Sequence, residues 1–265
     1  MHRLNLNFFF FSAMPPLLES LSAAFSLILT LDQQLTAVVL RSLAVSGLAC
    51  LLACCLGLPL GAWLAVVRFP GRGGVLLLLN TLLALPSVLV GLVVYLLLSR
   101  SGPLGFLGWL FSFQAMVLAQ TVLILPVVVA LTRQAIEEAD VDHGEQLASL
   151  GAGPAARAVI LLWDERHALV TLVITAFGRA ISEVGAVMVV GGNIEGFTRV
   201  MTTAIALETS KGDLPMALAL GLVLLSVVLA LTAGLGLWVR WRARVEGRRL
   251  WGEPPPSLQH RVGSP

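Results

Sequence analysis

Four stretches of this chain carry no charged residue for longer than a helix needs to cross a membrane. They lie between Arg41 and Arg68 (26 residues), Arg72 and Arg100 (27), Arg100 and Arg133 (32), and Asp213 and Arg240 (26). About 20 apolar residues at 1.5 Å rise cover the roughly 30 Å of bilayer hydrocarbon. A fifth candidate span, from about Leu169 to Val190, holds Arg179 and Glu183 within it. The runs are continuous and lack the two-residue alternation of barrel strands, so helices are implied. Charged residues make up 12% of the chain, against about 25% in soluble domains. The expected fold is an all-α membrane protein with five transmembrane helices.

Basic residues near span ends set the orientation. With the C-terminus cytoplasmic, eleven of the seventeen basic residues fall on inner segments and five on outer ones. This gives N-out, C-in. Three regions follow: an N-terminal segment 1–33, a transmembrane part 34–241 with a cytoplasmic loop 132–168, and an Arg/Pro-rich tail 242–265. The Phe8–Phe11 run is too short to span. Ser20–Leu31 is expected to form an amphipathic helix in the outer interface. A cleaved signal peptide and a start at Met14 are the alternatives for this end. The arginines after Val239, interleaved with Trp238, Trp241 and Trp251, read as an anchor on anionic lipid and not as a nucleic-acid surface. Gly252–Pro265 is expected to be disordered.

Chemistry-bearing patterns are few. Cys50, Cys54 and Cys55 fall in the first span as small apolar filler. The four histidines are scattered. No G-x-x-x-x-G-K-[ST] loop is present, so the chain is not expected to bind ATP or another cofactor itself. Gly57, Pro59 and Gly61, then Pro86 and Pro126, interrupt the first three spans and are expected to kink them around a cavity.

The polar loop Thr132–His167 holds seven of the fifteen acidic residues. Ala135–Asp140 continues the third span into water, and Asp142-His143-Gly144 is expected to break it. A second short helix then starts near Glu145, Gly151 ends it, and Pro154 opens a helix returning to the membrane. Leu147 and Leu150 form a small apolar ridge. Packing within the loop and insertion into a partner's groove both fit that pattern.

Glu145-Gln146-Leu147-Ala148-Ser149-Leu150-Gly151-Ala152 resembles the EAA signature of the membrane subunits of ABC importers. The resemblance implies a coupling helix that docks into an ATP-hydrolysing subunit. Glu145, Ala148 and Gly151 hold the motif positions, Leu147 and Leu150 would dock, and Ala152 closes the segment. Where the usual loop ends in I-x-L-P, this chain reads Ile160-Leu161-Leu162-Trp163. The missing proline points to a subfamily. Gly178-Arg179-Ala180-Ile181-Ser182-Glu183-Val184-Gly185-Ala186, then Gly191-Gly192-Asn193-Ile194 and Thr198-Arg199-Val200-Met201-Thr202-Thr203, resemble the molybdate/sulfate/tungstate permeases, the tungstate type most. The similarity covers roughly Leu35 to Arg240. It implies a type I-like ABC importer fold and a homodimer around one pathway. It also implies a periplasmic or extracellular oxyanion-binding protein, and an ATPase dimer that uses ATP and magnesium.

Residue chemistry adds candidates for the pathway. Arg179 and Glu183 lie four apart and are read as one helix face. They either neutralise each other or line the path, Arg179 attracting an oxyanion. Ser182, with Gly178 and Gly185, permits close helix approach. Gly191-Gly192-Asn193 reads as a helix stop or an anion-binding nest. Thr202, Thr203 and Thr209 lie on a short outer segment, Arg199–Thr209, expected to dip back into the bundle as a gate, their hydroxyls either satisfying its backbone or guiding an oxyanion. The expected function is import of an oxyanion, most like tungstate, with molybdate or sulfate as alternatives in the same class. An ATP-independent secondary transporter and a membrane scaffold are the readings from other classes.

Overall fold

A computed structural model of the chain describes residues 19–250, and among them every regular element is helical. The Phe8–Phe11 run, Met14 and the tail 251–265 lie outside the described residues. Nine helices follow α1 (Glu19–Leu29). They are α2 (Gln33–Val66), α3 (Arg72–Leu83), α4 (Ser87–Leu98), α5 (Phe113–Ser149), α6 (Pro154–Asp164), α7 (Arg166–Ile181), α8 (Gly185–Gly191), α9 (Met201–Lys211) and α10 (Leu214–Leu250). The chain divides into two compact units between Ser226 and Val227. The packing below belongs to the first.

Three helices are each long and apolar enough to cross a membrane: α2, α5, and α10 over Leu214–Val239. The second and fourth expected spans are not single helices. The α3–α4 pair is bent by 103° and the α7–α8 pair by 55°, so the count reaches five only if each bent pair is one span. Pro86 explains the first break. Proline has no N–H to donate and disfavours helical backbone in the residue before it. Pro86 takes extended backbone as the N-cap of α4.

Pro59 and Pro126 behave otherwise. Each lies inside an unbroken helix, α2 of 34 residues and α5 of 37. The expected interruption at Gly57–Gly61 is replaced by a packing seam. Ala49, Ala53, Gly57 and Gly61 recur every four residues on α2 and are all buried. They share one face and let α5 approach closely. A Cβ on Gly57 would stand 2.7 Å from Val128, and one on Gly61 would stand 2.7 Å from the Val129 carbonyl oxygen. With no hydrophobic drive between helices in lipid, such contact carries the association. Cys50 and Cys54 sit in the same core, with sulfurs 4.0 Å apart.

Past the end of α1 at Leu29, the chain turns at Leu31, which has φ of 51°. Asp32 then caps α2, its carboxylate accepting from the Leu35 amide at 2.9 Å.

The seam predicts an inverted glycine effect. Gly61→Ala, normally favourable in a helix by about 1 kcal/mol, should destabilise by about 1–3 kcal/mol through overpacking. Gly73→Ala, whose added Cβ meets nothing within 4 Å, serves as the control. Thermal unfolding midpoints of the two purified variants decide it, and a Gly61 variant as stable as the parent would sink the seam.

Candidate functional site

The residues singled out by sequence fall at two ends of the helical unit. At one end, α5 carries the polar loop outward. Asp142-His143-Gly144 does not break it, because helix continues unbroken to Ser149. Gly144 is buried where α6 crosses, and a Cβ there would meet Asp140 and Arg157. Those two side chains form an ion pair that ties α5 to α6. The segment predicted as a separate short helix is therefore the last turn of α5.

That turn closes by a Schellman motif. The Gly151 amide donates to Ala148 O at 2.9 Å, and the Ala152 amide donates to Leu147 O at 3.0 Å. The motif needs a left-handed residue, and Gly151 has φ of +82°. Pro154 then opens α6. Leu147 and Leu150 part ways. Leu147 packs against a cluster that includes Ala65, Ile136 and Leu161, while Leu150 is 84% exposed at the tip. Glu145 and Ala148 are also exposed. Where the proline was expected, Trp163 occupies the last turn of α6. Only Glu165 separates α6 from α7, and Arg166 lies 5.6 Å from the Trp163 ring centroid.

At the other end lies the break between α7 and α8. The α7 helix stops at Ile181, so Arg179 and Glu183 do not share one continuous helix face. Arg179 is exposed, and among the described residues it forms no ion pair. Glu183 is 7% exposed. Its Oε1 accepts from the Ala186 amide at 3.2 Å, so the carboxylate serves the α8 N-terminus, where orphan amides favour negative charge. Ser182 is exposed, its hydroxyl donating to Gly178 O. Thr202 Oγ1 donates to the Glu183 carbonyl at 2.7 Å, and Gln120 Nε2 donates to Ala180 O at 3.1 Å. A Cβ on Gly185 would press on Val88, whereas one on Gly178 would meet nothing within 4 Å.

Gly192 ends α8 with φ of 70°, followed by Asn193 at 51°. Amides around this stop are drawn into the fold. Gly192 N donates to Met188 O, and Ile194 N donates to Thr198 Oγ1 at 2.9 Å. Asn193 Nδ2 donates to Thr203 O at 3.2 Å. Thr203 Oγ1 accepts from Val200 N. The first turn of α9 is buried against α2, with Met201 N donating to Ser42 Oγ at 2.7 Å.

Several of these partners were not singled out from sequence. Arg41 donates to Gly196 O and Arg199 O, at 2.7 and 3.0 Å, and so pins the loop to α2. Arg199 and Glu208 are each only 6% exposed. Arg199 lies 3.5 Å from Glu195 and 3.7 Å from Glu208, and Lys211 closes on Glu208 at 3.1 Å. Gln120 had a usable signal, an amide inside an uncharged run. Arg199 lies in the family-like Thr198–Thr203 stretch, but nothing local marks it or Glu208 as a buried charge rather than a loop-face one.

Two apolar helix pairs broken at sharp bends, and a long helix ending in an exposed, glycine-closed tip, are what this helical unit presents. Residues 57–244 match the model of the family described as binding-protein-dependent transport system inner membrane component. The chain belongs to that family. The match and the apolar helices together make it a multi-pass inner membrane protein of the ABC permease type. Among its relatives is the tungstate uptake system permease protein TupB of Peptoclostridium acidaminophilum, 41% identical over 81% of this chain and 94% of that one. A probable anion ABC transporter permease protein of Haloferax volcanii is 42% identical over 81% and 93%. The molybdenum transport system permease protein ModB of Escherichia coli is 35% identical over 80% and 94%.

The geometry at the break separates two residues that looked like partners. Arg179→Gln should leave stability within about 0.5 kcal/mol, as for an exposed site. Glu183→Leu should cost about 1–2 kcal/mol for the lost cap, and Glu183→Gln should recover most of it. Equal losses for Arg179→Gln and Glu183→Leu in thermal unfolding would restore the ion pair.

Proposed function

We propose that this chain is the membrane subunit of an ATP-driven importer of a tetrahedral oxyanion, tungstate first. Two copies enclose one pathway, with the N-terminal side outside and the C-terminal side in the cytoplasm. The chain does no bond chemistry. An ATPase subunit dimer supplies the energy, and an oxyanion-binding protein delivers the substrate to the outer mouth.

The observation that carries this reading is the tip of α5. A helix that leaves an apolar layer, stays unbroken to an exposed Leu150, and closes on a left-handed Gly151 is a rigid knob for a groove on a partner. The EAA-like residues coincide with that knob. Closure of the ATPase pair would push it, and the helix would carry the displacement toward the α7–α8 break. There Arg179 and Ser182, both exposed, are proposed to face the pathway. Glu183, Asn193, Thr202 and Thr203, engaged with backbone, would hold the gate's shape. Tungstate is preferred because the TupB relative is named for it and matches most of both chains.

Gly151→Val should strand a β-branched residue at φ of +82°, at a cost of about 1–2 kcal/mol locally. The expected outcome is normal membrane insertion, ATP hydrolysis that continues, and uptake reduced at least tenfold. Coupled uptake at the parent level would remove the docking role. For the substrate, uptake of tungstate into a deletion strain carrying this gene should survive a tenfold excess of molybdate or sulfate. Equal competition by either would reassign the anion within the same class, and uptake indifferent to ATP depletion would overturn the importer reading.

A further inference from the structure

Three arginines mark where the chain leaves and re-enters the apolar layer: Arg68 and Arg72 flank the α2–α3 loop, and Arg133 follows the apolar part of α5. They line one cavity of about 720 Å³, a size typical of small-ligand sites. Only one carboxylate stands among them. Glu137 is ion-paired with both Arg72 and Arg133. The Asp140–Arg157 pair, further toward the tip, closes on itself. Glu145 lines the cavity too, but it lies about 18 Å along the helix from Arg133.

The layer-proximal end of the cavity therefore holds three guanidinium groups against one carboxylate. Arg68 is exposed and has no ion pair among the described residues. Arg133 Nε is buried without a hydrogen-bond partner. Its depth is marked by Trp63 stacked on Phe69 at 5.3 Å, with Trp63 partly exposed. Aromatic side chains of this kind settle at headgroup level. Excess guanidinium charge at that level calls for a counter-ion. The fork of an arginine matches phosphate, and basic pockets between membrane helices take anionic headgroups.

We propose that this cavity end binds the phosphate of one anionic phospholipid headgroup, with Arg68, Arg72 and Arg133 as donors. The bound phosphate bridges the α2–α3 loop to α5 where α5 emerges, and so steadies the base of the exposed tip. The site goes beyond the transport reading and stands without it, since it requires only a chain embedded in a bilayer.

The test uses the purified full chain and native mass spectrometry with phosphatidylglycerol or phosphatidylcholine. The parent chain should retain phosphatidylglycerol at least tenfold over phosphatidylcholine. Arg68→Gln should bring the two to parity, while Arg100→Gln, a basic residue elsewhere, should change nothing. Arg68 has no ion pair to lose, so an unchanged thermal midpoint confirms that the variant is folded. Inorganic phosphate at millimolar concentration separates the sources. Retention of the lipid in its presence supports a headgroup site, and saturable phosphate binding that phosphatidylglycerol cannot displace overturns it in favour of the free ion. Equal retention of both lipids by the parent also overturns the proposal. So does an Arg68→Gln variant that keeps its lipid but loses affinity for the ATPase subunit, which would make the cavity a protein contact.

Discussion

The close approach of α2 and α5 is the interaction on which the rest of this structure hangs. In lipid, burial of apolar side chains gives no advantage over leaving them against acyl chains, so association rests on how tightly two backbones can meet. Ala49, Ala53, Gly57 and Gly61 bring α2 within reach of Val128, Val129 and Thr132. Both functional ends are then fixed to this pair. Ser42 and Arg41 on α2 hold the α8–α9 loop and the start of α9, and α5 itself becomes the exposed tip.

Around that pair, the irregular backbone is allowed only because side chains complete it. A helix broken within hydrocarbon leaves donors and acceptors that water cannot reach, each costing several kcal/mol. At the α7–α8 break, Gln120, Thr202 and Glu183 supply the missing partners. In the following loop Thr198 both donates to Gly191 O and accepts from Ile194 N. The threonines and the asparagine of this region are thus committed to holding a shape. Arg179 and Ser182 beside it are exposed, and Ser182 also gives its hydroxyl to backbone, at Gly178 O.

What sequence made legible follows the range of the forces involved. Charge exclusion from hydrocarbon is a one-dimensional rule, so the apolar runs, the polar loop and the stop at Gly191-Gly192 were all readable. Gly151 and Pro154 were readable too, because their backbone requirements are intrinsic. Gly57, Gly61 and Gly144 show where a local rule stops: glycine lowers helix propensity and so predicts an interruption, yet α2 and α5 run on through all three. In the fold each is a site of close approach, and tertiary contact outweighs a propensity of about 1 kcal/mol. Pro86 broke its helix and Pro126 did not, a difference no local rule contains. The pairing of Arg179 with Glu183 failed because it assumed an unbroken helix between them.

The unbroken run of α5 has a mechanical meaning. Measured from Thr132, where the helix meets Gly61, the tip at Ser149 lies about 26 Å away and Gln120 about 18 Å the other way, at 1.5 Å per residue. A helix held near such a point would act as a lever with arms of comparable length. A tilt of about 10° would carry the tip roughly 4–5 Å and Gln120 about 3 Å in the opposite direction. That is about one hydrogen-bond length, enough to part Gln120 from the Ala180 carbonyl that it braces. A soft joint at Asp142-His143-Gly144 would absorb a displacement applied at the tip, and the helix that runs through it would pass one on.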